Sequence, residues 1–161
     1  MEIKLLTEND WLSWKNIRLE ALKNTPEAFG SSFEEESNLS DKDFQQTLNK
    51  NNVFGAFKHD GLVGCAAFAY LHTIKTKHRG IVWGMYIKPK YRGEGVADSL
   101  LKTVILFAKN KVMQLHLACV ANNIHAVKFY QKNGFEIYGK EPRALKIDTQ
   151  YYDELLMVLM L

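Results

Sequence analysis

The order of strand-like and helical segments constrains the fold of this chain more than any other feature of its sequence. Segments 53–57 and 62–71 read as strands, and only a short turn containing a glycine separates them, which predicts an antiparallel hairpin. Further along, a strand-like segment at 113–120 lies between two segments of helical periodicity, 95–110 and 123–133. Hairpins therefore come first and crossovers later. That order predicts an α/β fold with a mixed sheet and helices on both faces, rather than a purely doubly wound sheet.

The other segments complete the predicted sheet and its helices. After a short strand at 3–6, apolar residues recur at helical spacing until Thr25, where the following proline ends the helix. The acidic stretch 26–39 is predicted to be partly helical and solvated, and Ser40 caps a further short helix that runs through Leu48. The remaining predicted strands are 81–87, 135–138, 144–147 and 155–161.

Length and composition limit the class of protein. A chain of 161 residues can bury one hydrophobic core without disulfides or metal, so we expect a single domain over 1–161. The net charge of +3 is too balanced to indicate a nucleic-acid partner. The longest apolar run, 155–161, is far below the ~18 residues that cross a bilayer, and we expect neither a membrane partner nor a signal peptide. Cys65 and Cys119 sit in apolar strands, which indicates buried thiols of a cytoplasmic protein, and no Cys/His spacing predicts a metal site.

Residues 85–97 predict an anion site. A strand ends there, a basic loop with two glycines follows, and an amphipathic helix starts. Unpaired backbone N–H groups at a helix start favour an anion, and glycines let a phosphate approach the backbone closely. Lys88, Lys90 and Arg92 add positive charge, so a diphosphate is the predicted guest. The pattern is not the dinucleotide fingerprint, because Asp98 takes the place of its third glycine, and no P-loop sequence is present.

Two segments resemble the signatures of one family. Residues 92–97 read Arg-Gly-Glu-Gly-Val-Ala, which is similar to the Arg/Gln-x-x-Gly-x-Gly/Ala signature of the GNAT superfamily of N-acetyltransferases. Residues 123–135 resemble its second signature, Asn-x-x-Ala-x-x-Phe/Leu-Tyr-x-x-x-Gly-Phe, in the expected order and at the expected distance. The resemblance implies a single GNAT-like domain whose sheet is mixed, mostly antiparallel and splayed in the middle. It also implies an acyltransferase that moves an acetyl group from acetyl-CoA to a primary amine.

The resemblance carries roles over to individual residues. The end of the fourth strand would pair its backbone with the pantetheine arm of acetyl-CoA through Met85, Tyr86 and Ile87. Backbone N–H groups of the next loop and helix start would hold the diphosphate, and they belong to Arg92, Gly93, Glu94, Gly95, Val96 and Ala97. Asn123 would bond near the pantetheine or the thioester. Tyr130 would be the general acid, because a phenol of pKa about 10 can protonate a thiolate of similar basicity. Neither cysteine resembles an acyl carrier, so direct transfer with both substrates bound is implied.

The general base stays open at this stage. Many relatives carry a glutamate on the fourth strand, whereas residues 81–85 of this chain include no carboxylate. A water chain or a side chain from elsewhere could serve instead. The side-chain candidates are Glu34, Glu35, Glu36, His72 and His116. Of these, His116 alternates with apolar residues, which favours a structural role, and the glutamates also fit a solvated helix face.

The acceptor and the alternatives also stay open, and small-molecule and peptide amines both fit. In the family that the chain resembles, the first two helices form one wall of the acceptor site, so residues 29–33 are expected to set specificity. Negative charge near a cationic amine could come from Asp148, Asp153 or Glu154. The main alternative is a non-catalytic acyl-CoA-binding regulatory module, because the same glycine loop would serve it. A nucleic-acid-binding domain is a second alternative, and the oligomeric state is open, with a homodimer among the choices.

Overall fold

The computed structural model describes all 161 residues, which form seven strands and five helices. The strands are β1 (Glu2–Leu5), β2 (Asn52–Lys58), β3 (Gly61–Tyr70), β4 (Arg79–Ile87), β5 (Gln114–Val120), β6 (Glu136–Ile147) and β7 (Gln150–Met160). The helices are α1 (Trp11–Asn24), α2 (Phe33–Ser37), α3 (Asp41–Lys50), α4 (Val96–Ala108) and α5 (Ile124–Lys132), with 3₁₀ turns at Glu8–Asp10, Pro26–Ala28 and Pro89–Tyr91. None of the helices combines the length and the apolar composition that crossing a bilayer requires.

All strands belong to one sheet, in the order β1-β2-β3-β4-β5-β7-β6. Every neighbouring pair is antiparallel except β4 and β5, which run parallel over residues 79–81 and 114–116 only. Beyond that short ladder, β4 continues to Ile87 and β5 to Val120 without pairing with each other, so the sheet opens into a wedge in its middle. The predicted mixed, mostly antiparallel and splayed sheet is confirmed.

Two hydrophobic cores lie on opposite faces of this sheet. The central strand β3 is buried throughout residues 62–68, which is why it reads as an unbroken apolar run rather than as an alternation. Val63 and Phe68 belong to the core under α4, whereas Leu62 and Cys65 belong to the core under α1 and α3. Helices therefore cover both faces, as predicted.

Capping interactions lie at the ends of the predicted helices. Just before α1, the Asp10 carboxylate accepts hydrogen bonds from the backbone N–H of Thr7 at 2.9 Å and from its hydroxyl at 3.1 Å. At the start of α3, the Ser40 hydroxyl accepts from the backbone N–H of Asp43. After α5, Gly134 adopts φ 90°, the left-handed conformation that a helix-ending glycine takes readily.

The carboxyl-terminal strands differ from the prediction. One long strand, β6, runs through both predicted segments, 135–138 and 144–147, with two register shifts against β7. Its partner β7 begins at Gln150 rather than at 155. Residues 150–152 pair with β6 alone and extend past the end of β5, so they are largely solvated and carry polar side chains that hide the strand pattern.

Candidate functional site

The wedge leaves one edge of β4 without a strand partner. On its other side, β4 pairs with β3 through a bulge, in which Gly84 and Met85 lie opposite Ala66. Gly84 adopts φ 63°, a conformation that glycine takes without strain. The backbone of residues 82–87 therefore turns unpaired N–H and C=O groups toward the wedge, where an extended ligand can add to the sheet as a strand does.

The side chains at the end of β4 serve packing. Met85 is half-buried against the core under α4, and Ile87 belongs to that core. The Tyr86 hydroxyl donates to Glu20 Oε1 at 3.0 Å and accepts from Asn24 Nδ2 at 3.2 Å, which ties β4 to α1. Burial raises the pKa of this phenol. These three residues therefore offer the wedge their backbone rather than their side chains.

The loop between β4 and α4 presents a row of free backbone N–H groups. Gly93 (φ 80°) and Gly95 (φ 76°) are both left-handed, and α4 begins directly afterwards at Val96. No group of the protein accepts a hydrogen bond from the N–H of residues 93–97. A Cβ at either glycine would meet nothing within 4 Å, so both border open space. An adjoining cleft of about 220 Å³ is lined by this loop and by Phe129 of α5. The arrangement suits an anion such as a diphosphate.

The structure corrects the expectation for Arg92. Its backbone N–H donates to the Pro89 carbonyl at 3.2 Å and is not free for a ligand. Its Nε donates to the Ile87 carbonyl at 3.1 Å, and its guanidinium carbon lies 5.8 Å from the centroid of the Tyr86 ring. Arg92 therefore fixes the loop to the end of β4 and does not belong to the row of free donors.

The two lysines of the loop are also engaged. Lys90 Nζ lies 2.9 Å from Asp60 Oδ2, and Lys88 Nζ lies 3.7 Å from Glu20 Oε2. Exposed pairs of this kind stabilise the fold little, but they reduce the positive charge that the sequence predicted here. Backbone donors are therefore the main anion-binding feature, and the loop does not form the continuous basic patch that nucleic-acid binding needs.

Tyr130 lies on α5 beside the β5 side of the wedge. Its ring packs edge-on against Phe129 at 5.2 Å and Phe135 at 5.8 Å between centroids. The hydroxyl has no hydrogen-bond partner within the protein. Burial, and to a smaller extent the nearby Cys119 thiol, raises the pKa of Tyr130, so the phenol is protonated at neutral pH and has a proton to donate.

The cysteines and Asn123 have structural partners. Burial raises the pKa of Cys119 to about 11 and that of Cys65 to about 12, so neither is a reactive thiolate near neutral pH. Asn123 caps α5, because its Oδ1 accepts from the backbone N–H of Ala126 at 3.1 Å. Only the Nδ2 group of Asn123 is left to donate to a ligand.

On the α1 side of the sheet, a cleft of about 850 Å³ separates two segments that are far apart in the sequence. One wall is the end of α1 and the loop 26–34, and the other is the end of β6 and its turn at 144–148. All of residues 29–33 line this cleft, as do Glu34 and Asp148. We call it the acceptor-side cleft.

A buried ion pair holds the loop of this cleft in place. Arg18 of α1 is 6% exposed, and its Nε and Nη2 donate to the two carboxylate oxygens of Glu36 at 2.9 and 2.7 Å. The guanidinium carbon lies 5.1 Å from the centroid of the Phe29 ring and 5.8 Å from that of the Trp83 ring of β4. This pair was not predicted from the sequence. Its one signal was an arginine within the apolar spacing of the first helix.

The other predicted base candidates are occupied or remote. The Glu35 carboxylate accepts from the Ser32 hydroxyl at the start of α2, and His72 is exposed in the loop after β3. His116 Nε2 accepts from Arg79 Nε at 3.2 Å, and burial together with this arginine lowers the pKa of the imidazole. His116 is therefore neutral but already hydrogen-bonded, which fits the structural role that its sequence context favoured.

Strands β6 and β7 and the turn between them form an antiparallel hairpin that we call the β6–β7 arm. The acidic side chains of this arm have different surroundings. Asp148 sits in the turn with φ 52° and lines the acceptor-side cleft. Asp153 accepts from the backbone N–H of Arg143 at 2.8 Å and pairs with Lys140 at 2.7 Å. Glu154 is half-buried and has no such partner. No group of three or more His, Cys, Asp or Glu side chains lies close enough to hold a metal ion.

Sequence comparison finds similarity to known acetyltransferases. Residues 14–135 match the Acetyltransferase (GNAT) family. Over 91 residues the chain is 31% identical to spermine/spermidine N(1)-acetyltransferase of Bacillus subtilis (strain 168). That match covers 53% of this chain and 60% of the relative, so it spans less than two thirds of the relative's length.

Solved structures share the whole fold. The acetyltransferase of the GNAT family from Streptococcus pneumoniae has a TM-score of 0.89 and 21% identity, and 99% of each chain is covered. A Salmonella typhimurium protein solved with its cofactor acetyl-CoA has a TM-score of 0.85 and 16% identity over 99% of this chain and 93% of that one. At these identities the likeness concerns the fold alone.

Proposed function

The chain belongs to the GNAT family of acetyltransferases, and we propose that its single domain, residues 1–161, transfers the acetyl group of acetyl-CoA to a primary amine. The observation that carries this proposal is the open edge of β4 running directly into the row of free N–H groups at 93–97. An extended amide-bearing arm followed by a diphosphate is the ligand that this combination suits.

In this proposal, acetyl-CoA lies with its pantetheine arm along residues 85–87 and its diphosphate on the N–H groups of residues 93–97. Arg92 holds the loop in position, since its backbone N–H and its Nε donate within the protein. Asn123 donates its free Nδ2 group near the pantetheine. The acetyl group then reaches the wedge between β4 and β5, next to Tyr130.

The proposed chemistry is direct transfer with both substrates bound. The amine attacks the thioester carbonyl, and Tyr130 protonates the departing thiolate. Its pKa above the ordinary value keeps the proton in place until a strong base forms. A route through an acylated cysteine is unsupported, because Cys119 and Cys65 have pKa values of about 11 and about 12.

The acceptor-side cleft is the proposed entry for the amine. It opens on the face opposite the core under α4, and residues 29–33 line it. The Bacillus subtilis relative is named for polyamines, and polyamines are therefore one class to test. Amino acids and peptide amino termini are the others, because relatives of one fold differ most in such sites.

The test measures free CoA thiol from acetyl-CoA with spermidine, L-alanine and an alanyl peptide, each against a no-amine blank. Release that depends on the amine is expected. Acetyl-CoA at ~100 times its Kd should also stabilise the fold by about 2.7 kcal/mol, visible as a rise in Tm. A rise in Tm without release for any amine would favour the acyl-CoA-binding regulatory module. No rise in Tm at millimolar acetyl-CoA would rule out both functions.

A further inference from the structure

The register of β7 places Glu154 on the α1 side of the sheet. Leu117 and Cys119 of β5 belong to the core under α4, so the next residue, Val120, faces the other way. Glu154 is the partner of Val120 across the β5–β7 ladder, and such partners share a face. Its carboxylate therefore lies on the face that also carries α1 and the loop 26–34.

This register position is at the open end of the wedge. Val120 is the last residue of β5, and the pairing of β5 with β4 has already stopped at His116. The 3₁₀ turn Pro26–Ala28, which begins the loop of the acceptor-side cleft, contacts both β5 and β6. Glu154 is the carboxylate that the β7 ladder brings to the place where the wedge and this loop meet.

Glu154 is also unsatisfied, unlike the acids around it. Its neighbour Asp153 is bound by the Arg143 N–H and by Lys140, and its cross-strand partner on β6, Glu141, is exposed. A half-buried carboxylate without a donor costs free energy, and burial together with Glu141 raises the pKa of Glu154. A bound cation, or a proton taken from one, would offset that cost.

We propose that Glu154 receives the ammonium group of the acceptor and removes one of its protons, a role that rests on the proposed function. It would take over the role of the glutamate that many relatives carry on the fourth strand and that this chain lacks there. Glu36 cannot do so, because both of its oxygens are held by Arg18. A carboxylate whose pKa lies above the ordinary value is the stronger base.

The step releases one proton per turnover. The ammonium gives a proton to the Glu154 carboxylate, and the freed lone pair attacks the thioester carbonyl carbon. Collapse of the tetrahedral intermediate breaks the C–S bond, and sulfur takes the proton of the Tyr130 hydroxyl. The resulting phenolate takes the second proton from nitrogen. The amide and the CoA thiol then leave, and Glu154 passes its proton to solvent.

The test compares Glu154→Gln with the matched variant Glu136→Gln, at an exposed glutamate of β6 that lies opposite Val158, on the amine that the wild type acetylates. Glutamine keeps the size of Glu154 and removes its basicity, so kcat should fall by ~10²–10⁴-fold while the affinity for acetyl-CoA is unchanged. Glu136→Gln removes an equal charge from the same strand at a distance from Glu154 and should keep turnover near that of the wild type.

The outcomes distinguish a wrong role for Glu154 from a wrong proposed function. Turnover of Glu154→Gln equal to that of the wild type overturns the role of Glu154 and leaves the proposed function standing. A wild type that acetylates no amine removes both. If Glu154→Gln fails to fold, ¹³C NMR of the wild type decides. The Glu154 carboxyl resonance, assigned through the backbone, should shift when the amine that the wild type acetylates is added. An unchanged resonance overturns the role.

Discussion

The two sides of the wedge are built in different ways. The side proposed for acetyl-CoA comes from one continuous segment, residues 85–97, and offers mainly backbone donors at an open strand edge and a helix start. The side proposed for the acceptor combines α1, residues 26–36 and the β6–β7 arm, and it depends on side chains that ion pairs hold in place. One side is local and made of backbone, whereas the other is dispersed and made of side chains.

The difference explains how one family can keep a co-substrate and change its acceptor. A backbone site needs only glycines and a helix start at fixed spacing, so its surrounding side chains can vary freely. A side-chain site changes its chemistry with each substitution in the loop 29–36 or in β7. A variant on one side of the wedge should therefore change the binding of one substrate and leave the binding of the other unchanged.

The largest expected effect is at the point where the two sides meet. Tyr130→Phe removes one hydroxyl and keeps the ring packing, so kcat should fall by ~10²–10⁴-fold with little change in KM for acetyl-CoA. Steady-state kinetics on a confirmed acceptor measure this. The matched control is Tyr138→Phe, which deletes the same hydroxyl from an exposed ring on β6. Near wild-type kcat in Tyr130→Phe would assign Tyr130 to packing alone.

The next effect concerns the frame of the acceptor side. Arg18→Met leaves the half-buried Glu36 carboxylate without its partner, and breaking a buried pair in this way costs about 3–5 kcal/mol of unfolding free energy. Urea unfolding measures the loss. Lys15→Met, which breaks the more exposed pair with Asp41, should cost less than about 1 kcal/mol. Equal losses in the two variants would contradict a special role for the Arg18–Glu36 pair.

A smaller expected effect distinguishes the binding of acetyl-CoA from the binding of the amine. Gly95→Val strains a β-branched side chain at φ 76° beside the free N–H row, so the free loop should relax to another conformation. Restoring the row for the diphosphate then costs about 1–3 kcal/mol, and acetyl-CoA should bind about 5–150-fold more weakly. Calorimetric titration with CoA measures the loss. Gly30→Val adds the same side chain in open space on the acceptor-side cleft, and should change KM for the amine only. Loss of CoA affinity in Gly30→Val instead would show that the two sides are coupled.

The smallest effect lies at the start of α1, far from both substrates. Burial alone would raise the pKa of Asp10, but hydrogen bonds from Lys4 and Thr7 outweigh it and hold that pKa below its ordinary value of 3.8. The stabilisation is therefore present above pH 3.8 and is lost as the pH falls through the lowered folded-state value. Asp10→Asn should lose about 0.2–1 kcal/mol at neutral pH and show a flatter dependence of Tm on pH below about 4. If Asp10→Asn and the wild type lose Tm equally below pH 4, Asp10 contributes nothing to the acid dependence of stability.

Much of the fold followed from local pattern. The hairpin of β2 and β3, the crossover helix α4 and the cap at Ser40 were each predicted within a few residues of their observed bounds. The β6–β7 arm was predicted as three short pieces, because most of its residues are solvated and no single apolar face marks its length. Strand length in such an arm is set by pairing rather than by side-chain pattern.

By itself, the sequence determined the order of the elements, the glycine loop and the start of α4, since each of these depends on residues that are close together along the chain. Only the tertiary structure decided which charges are free. Lys90 turned out to be paired with Asp60, Arg18 and Glu36 to be paired across 18 positions, and Glu154 to be left without a partner. The physical reason is that a charge is satisfied or unsatisfied by whatever folds against it, and the register of distant strands and helices decides that contact.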